Sequence, residues 1–325
     1  MANRFTVVLV LVCVLFGTNV KCSEKKGVGM APAQFMCDDF KALSNMKWWY
    51  DWAANGDKLR KRNNCTDFAQ YLPLHVPMTW GNGSTFPNYI IQEVAEYLLG
   101  FNEPNHQAQS NLTAQQAFEL WPEVITLATG KKLVSPAAAP CGKNCNGDAF
   151  EWFDEFFRLC NGNCKLDYLA THVYYCDADR VMNYLLELYN KYNLTIWVTE
   201  FACPGETDPA IVLAFMEAIL PRLEAADYVF RYAWYISRLI NTNMYVKPAV
   251  SLLEADSSTL TTLGKFYNNF GEPTTTTSTT TSTTTTTPTT NTPSSNSVSI
   301  GESAVVILRC YMILLFVSTT VFWVL

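Results

Sequence analysis

Charge is scarce in this chain. Only 16% of its 325 residues are Asp, Glu, Lys or Arg, and their balance is -6. No basic stripe exists to neutralise a phosphate backbone, which excludes nucleic acid as a partner and leaves a neutral one. Neither a G-x-G-x-x-G nor a P-loop follows any strand-like run, so the nucleotide sites of open doubly wound sheets are excluded too. Among the 11 cysteines no C-x-x-C occurs, and the usual zinc spacing is absent.

Apolar matter is abundant by contrast. With 49% hydrophobic and 14% aromatic residues, the chain can build a large core in one or two domains. Its ends are of a different kind. Arg4, an apolar run from Phe5 to Phe16 and small or polar residues up to Cys22 make residues 1–22 a secretory signal peptide, too short to span a bilayer. Residues 272–299 are almost wholly Thr and Ser from Thr274 onward, with Pro288 and Pro293; such a segment buries no core and reads as a disordered, O-glycosylated stalk. The small residues Ser294 to Ser297, a polar spacer and the apolar run Ala304–Leu325 have the pattern of a glycosylphosphatidylinositol (GPI) attachment signal, with its hydrophobic part over 300–325. A single-pass tail anchor is the alternative, for which Arg309 and the lack of a basic flank are awkward.

Cys13 and Cys22 fall in the signal and Cys310 in the tail. Cys37, Cys65, Cys141, Cys145, Cys160, Cys164, Cys176 and Cys203 remain in the body, an even number that predicts disulfides in an exported protein. The alternative is a zinc site from the two C-x-x-x-C units, Cys141/Cys145 and Cys160/Cys164. Asn64, Asn82, Asn111 and Asn193 head acceptor sequons and are expected to carry N-glycans. The protein is thus expected outside the cell, lipid-anchored to the plasma membrane or held in a cell wall, as a monomer.

Between these ends, residues 26–271 alternate strands with helices. Strands are predicted at Gly27–Ala31, Lys47–Trp52, Tyr71–Trp80, Leu99–Asn102, Lys132–Ala137, Leu166–Tyr174, Thr195–Glu200 and Tyr228–Tyr235. The third carries Pro73 and Pro77, which cannot donate to a ladder, so its pairing must be irregular. Thr113-Ala114-Gln115-Gln116 and Asp148-Ala149-Phe150-Glu151 are capping boxes, and Asp208-Pro209 is an N-cap followed by a first-turn proline. Eight such units over about 245 residues match one (β/α)8 TIM barrel, an α/β fold whose chemistry sits at the strand C-termini.

Two of those termini deliver carboxylates. Leu99-Gly100-Phe101-Asn102-Glu103 closes the fourth predicted strand and Thr195-Ile196-Trp197-Val198-Thr199-Glu200 the seventh, on opposite sides of a barrel mouth. Cleaving a glycosidic bond with retention takes a proton donor and a nucleophile about 5–5.5 Å apart. One carboxyl must hold its proton while the other stays ionised. Taken singly, each glutamate is an ordinary solvated residue; the pair at the mouth favours catalysis. Asn102 is placed to bond a sugar 2-hydroxyl. Trp52, Trp80 and Trp234, at strand ends, are candidate stacking platforms, with core packing as the alternative for each. Tyr174 is a candidate partner for the nucleophile or a hydroxyl. His172 is a candidate substrate-binding residue that would also orient a carboxylate, with a satisfied core histidine as the alternative.

At these residues the sequence resembles glycoside hydrolase family 128, the secreted β-1,3-glucanases among the clan A barrels. The matching stretches are Trp48 to Trp52, Val76 to Trp80, Leu99 to Pro104, Ala170 to Tyr174, Ile196 to Ala202, Arg231 to Trp234 and Leu263 to Tyr267. The resemblance implies a retaining endo-β-1,3-glucanase in which Glu103 is general acid/base and Glu200 nucleophile. It implies no metal or organic cofactor, and a β-1,3-glucan substrate. Asp51 stands where the family pattern has asparagine, and Asn105 where it often has aspartate. A transglycosylase is the nearest variant, because a sugar can intercept the same covalent intermediate. A glucan-binding receptor that keeps the groove but not the chemistry is the alternative of another class.

Overall fold

The computed structural model describes residues 23–140 and 144–272. The signal peptide, stalk and anchor expectations, and Cys141, lie outside them. In chain order come β1 (Lys26–Gly29), α1 (Asp39–Ala42), β2 (Trp48–Tyr50), α2 (Asp57–Asn63), β3 (Tyr97–Leu99), α3 (Ala114–Leu127), β4 (Lys132–Ala138), α4 (Ala149–Cys160), β5 (Tyr168–Val173), α5 (Ala178–Tyr192), β6 (Ile196–Phe201), α6 (Pro209–Ala225), β7 (Val229–Trp234) and α7 (Thr262–Asn269). The strands form one parallel sheet in the order β2-β1-β7-β6-β5-β4-β3, curled with the helices between its strands in the manner of a (β/α) barrel.

The predicted strand Tyr71–Trp80 needs correction. Its first half is a 3-10 helix, Ala69–Leu74, with Pro73 inside. Only isolated bridges follow, Trp49 to His75 on one side and Met78 to Leu99 on the other. Val76 donates to the Trp49 carbonyl at 2.9 Å, and Leu99 donates to Pro77 at 2.9 Å. The segment thus joins the two edge strands, β2 and β3, without a regular ladder. Its prolines are the reason, since each removes one donor.

Strand alternation divides the apolar residues into two cores. Trp48, Tyr50, Val76, Met78, Tyr97, Leu99, Val134, Ala137, Ala170, Trp197 and Ala233 pack inside the curl. Val28, Trp49, Leu98, Leu133, Leu169, Val173, Ile196, Val198 and Trp234 face the helices. With both faces covered, the strands read as apolar runs.

The caps form where the local sequence places them. The Thr113 hydroxyl accepts from Gln116 N at 3.1 Å while the Gln116 side chain accepts from Thr113 N at 2.9 Å, and Asp148 and Glu151 repeat the exchange on α4. Asp208 caps α6 with Pro209 in the first turn. Each cap is worth roughly 1 kcal/mol and fixes where a loop ends.

Disulfides join Cys37 to Cys65, Cys160 to Cys164, and Cys176 to Cys203; Cys145 is bonded as well. The Cys160–Cys164 bond takes both thiols away from any zinc. No helix among the described residues is long and apolar enough to cross a membrane. Asn64, Asn82, Asn111 and Asn193 are all exposed.

Candidate active site

Glu200 faces the mouth because β6 carries an extra residue. Trp197 points into the curl and Val198 out of it, so strict alternation would send Glu200 outward with Val198. The ladder to β5 instead pairs Thr171 with Val198 and His172 with Glu200, leaving Thr199 as a bulge. A bulge of one residue inverts the parity of everything after it. Glu200 and His172 then share the inner face.

Glu103 arrives by a different device. Gly100 lies so close to β4 that a Cβ there would sit 2.7 Å from Pro136 N and 2.8 Å from the Ser135 carbonyl carbon. Past that contact the chain turns sharply, and Glu103 itself adopts a left-handed conformation, φ 40°. For a residue other than glycine this costs roughly 1–3 kcal/mol. Its N–H is fixed on the Ala137 carbonyl at 3.1 Å, so the carboxylate is held over the mouth.

The two side chains meet on His172. One oxygen of each glutamate and a ring nitrogen of His172 all lie within 4.8 Å of one another. Nδ1 of His172 is 2.7 Å from Glu103 Oε1 and 3.3 Å from Glu200 Oε2. Glu200 also accepts from Trp52 Nε1 at 2.7 Å and from the Tyr174 hydroxyl. Such an acid-rich trio could hold a cation, but every carboxylate contact is made by an N–H or O–H donor, the shell of an unligated carboxylate.

Burial and charge set the protonation of the trio. Glu103 loses solvation, yet the bond and charge of His172 outweigh that and hold its pKa below the usual 4.5. Glu200 is pushed above 4.5 by burial; His172 opposes this, and the Glu103 charge adds to it. Burial alone would lower His172, but Glu200 and Glu103 together raise it above 6.5. Tyr174 is driven well up by burial and by Glu200, so it stays a neutral donor. The two carboxylates thus favour a proton on the imidazole that lies between them.

A cleft of about 1400 Å³ opens over the trio, lined among others by Trp52, Trp80, Asn102, Glu103, Tyr174, Glu200 and Tyr235. That exceeds the roughly 300–1,000 Å³ of a small-molecule pocket. Asn102 reaches Gln109 through Nδ2 at 3.2 Å, while its buried Oδ1 has no partner among the described residues. Two sequence expectations change. His172 is wholly buried beneath the carboxylates, so it acts on them and does not touch a ligand. Trp234 is a core residue: it is fully buried among helix-facing side chains and donates to the Val250 carbonyl at 2.8 Å.

The neighbouring Tyr235 takes the place expected for Trp234. Since Ala233 faces inward, period two also turns Tyr235 inward, a signal that a count along the strand contains. Gln109, Tyr175, Arg180 and Tyr245, which also line the cleft, sit on loops or a helix start where no periodicity marks them. Asp51 does not line the cleft. It is buried against His75 Nε2 at 3.0 Å, which accounts for a carboxylate at that position.

A parallel strand sheet with two carboxyl groups meeting at one mouth is the arrangement a glycoside hydrolase uses. The family model described as glycosyl hydrolase catalytic core matches residues 27–267. A crystal structure of an endo-β-1,3-glucanase of glycoside hydrolase family 128, subgroup II, from Sorangium cellulosum is 34% identical; the alignment covers 75% of this chain and 97% of that one, with a TM-score of 0.64. A subgroup V exo-β-1,3-glucanase from Cryptococcus neoformans is 26% identical over 77% of this chain and all of that one, TM-score 0.65. The chain belongs to glycoside hydrolase family 128. Among curated proteins, alkali-sensitive linkage protein 1 of Schizosaccharomyces pombe is 27% identical over 221 residues, 66% of this chain. That stretch spans 39% of the relative's length.

Proposed function

We propose that this chain is a retaining endo-β-1,3-glucanase, with Glu200 as nucleophile and Glu103 as general acid/base. The observation that carries the reading is the approach of the two carboxyl groups to within 4.8 Å across His172. Retaining enzymes hold the pair at about 5–5.5 Å, whereas inverting ones need about 6.5–9.5 Å to admit a water. The barrel is taken as eightfold, with the bridging segment after Leu74 as its reduced strand. The β-1,3-glucan substrate follows from family membership, and endo action from the higher identity to the endo-acting relative.

The resting arrangement, with imidazolium between two carboxylates, needs one proton shift to become reactive. Moving the Nδ1 proton across the 2.7 Å bond gives a protonated Glu103, a neutral His172 and an ionised Glu200. Glu200, oriented by Trp52 and Tyr174, attacks the anomeric carbon while Glu103 protonates the departing oxygen. Glu103 then takes a proton from water, which attacks the glycosyl-enzyme and frees Glu200. A sugar hydroxyl in place of that water would give transglycosylation.

The enzyme is further proposed to be N-glycosylated at Asn64, Asn82, Asn111 and Asn193, to act as a monomer outside the cell, and to be tethered by a C-terminal GPI lipid. The test is hydrolysis of laminarin, cellulose and mixed-linked glucan by wild type and Glu200→Gln, with the product anomer followed by NMR. Wild type should release β-anomers from laminarin in pieces of several sizes, and Glu200→Gln should lose about 10⁴-fold or more in rate. An α-anomeric first product, or laminarin binding without turnover, ends the reading, the second in favour of a glucan receptor.

A further inference from the structure

One arm of the cleft lining, Phe150, Tyr175 and Arg180, stands on the segments that follow β4 and β5, whereas Trp52 and Tyr235 follow β2 and β7. The Arg180 guanidinium carbon lies 3.7 Å from the centre of the Tyr175 ring. Arg180 makes no ion pair or side-chain hydrogen bond among the described residues. Five donors in a fork are therefore held by a ring and left unused.

Everything around this fork is rigid. Tyr184 meets Tyr175 edge-on at 6.5 Å and Phe150 at 5.7 Å, and its hydroxyl is tied to Thr171 Oγ1 on β5 at 3.0 Å. The Cys176–Cys203 disulfide fastens the loop of Tyr175 to the loop after β6. The arm also contains Asp148 and Asp177, whose carboxylates accept from the helix amides of Glu151 and Arg180. One cation facing two carboxylates does not suit an anionic ligand. Aromatic walls, free donors and fixed acceptors suit a neutral polyol, whose hydroxyls both give and accept hydrogen bonds.

Resting on the glucanase reading, we propose that Tyr175, Phe150 and Arg180 form a sugar subsite remote from the cleavage point. One glucosyl unit of the chain packs on the two rings, and its hydroxyls accept from the Arg180 guanidinium. This subsite sets the chain length the enzyme prefers. Being prearranged, it adds affinity without an ordering cost in the loop.

The test uses laminarihexaose with Glu200→Gln, alone and combined with Arg180→Ala or Tyr175→Ala, in titration calorimetry. Loss of a hydrogen bond from a charged donor should weaken binding about tenfold. In the Glu200-containing background, Arg180→Ala should cut kcat/KM for the longest oligosaccharides by a similar factor, leave the shortest cleaved one unchanged and shift the product sizes. Equal Kd values with and without Arg180, or no binding of the hexaose at all, overturn the subsite. Failure of wild type to hydrolyse laminarin overturns the glucanase reading instead, and the calorimetric comparison still decides the subsite.

Discussion

The floor and the mouth of the barrel both bury charge, and they treat it in opposite ways. At the floor, Arg231 lies 4.6 Å from the Tyr97 ring centre, 5.0 Å from Trp197 and 5.6 Å from Phe230. Lys26, at the start of β1, is fully buried, and its ammonium donates to the carbonyls of Asn268 and Phe270. The cations there are met mainly by π faces and carbonyl oxygens, with one carboxylate, Glu272, 3.9 Å from the Lys26 ammonium. At the mouth the charges meet one another, Glu103 is held at a positive φ, and Asn102 Oδ1 and His172 Nε2 are buried without a partner among the described residues. Among the described residues the floor has atoms without a hydrogen bond too, Trp197 Nε1 and Glu272 Oε1, so it is the left-handed Glu103 and the facing charges that set the mouth apart. The difference separates the half of the molecule that maintains the fold from the half that performs work.

The largest break of this contrast comes from Glu103→Gln. Hydrolysis of laminarin should fall about a thousandfold through loss of acid catalysis, and far less on a substrate with a good leaving group. Its thermal midpoint should stay within a few degrees of wild type, because the strained backbone is unchanged. A variant as active as wild type would remove Glu103 from the reaction. Arg231→Ala is the counterpart at the floor. Emptying the aromatic box should cost about 3 kcal/mol in unfolding free energy, with kcat and KM unchanged at a temperature where the variant is folded. A change in KM would mean that the two halves are coupled.

His172→Asn should have a smaller effect on rate, about thirtyfold on kcat/KM, and a specific one on pH. In wild type the proton that arms Glu103 rests on a histidine raised above 6.5, so the alkaline limb of kcat/KM should lie above that value. In the variant Glu103 must hold the proton itself, and the limb should move to lower pH. The stability windows follow from the same shifts. Glu103, lowered, stabilises the fold above 4.5 and loses this as pH falls through its folded value. His172, raised, stabilises it below 6.5 and loses this as pH rises through its folded value. The pair therefore contributes most between 4.5 and 6.5, where His172→Asn should show its greatest loss in denaturant midpoint.

Much of the fold was legible because its signals are local. Capping boxes such as Asp148–Glu151 need only four consecutive residues, and strands covered on both faces announce themselves as apolar runs. Strand ends carrying Glu103 and Glu200 could be located, but not the reason both face inward. That depends on the bulge at Thr199 and on the contact at Gly100, which involve the backbone of neighbouring strands. Trp234 was misplaced and Tyr235 overlooked by one residue of parity, an error that Ala233 could have prevented. The segment Tyr71–Leu74 became a 3-10 turn because its prolines override a strand-like composition. Arg180 was invisible for a further reason: its role depends on a ring and a cleft that only the folded loops assemble.

The smallest expected effect sharpens the boundary between the two halves. Asn105, two residues past Glu103, is wholly buried; its Nδ2 donates to the Ala139 carbonyl at 2.8 Å while its Oδ1 accepts from Ala139 N at 3.0 Å. An amide does both at any pH, whereas an ionised carboxylate can only accept. Asn105→Asp would retain the acceptor but set a carboxylate against the Ala139 carbonyl, at a cost of about 2 kcal/mol. A protonated aspartic acid can donate there, so the fold should raise the pKa of the introduced carboxyl and the loss should shrink as pH falls. Urea unfolding at pH 4.5 and pH 8 should show the smaller deficit at the lower value, with kcat/KM reduced no more than about threefold, since Glu103 keeps its own bond to Ala137. An equal deficit at both values would mean that the loop has rearranged around the carboxylate, and that the mouth is less rigid than its hydrogen bonds imply.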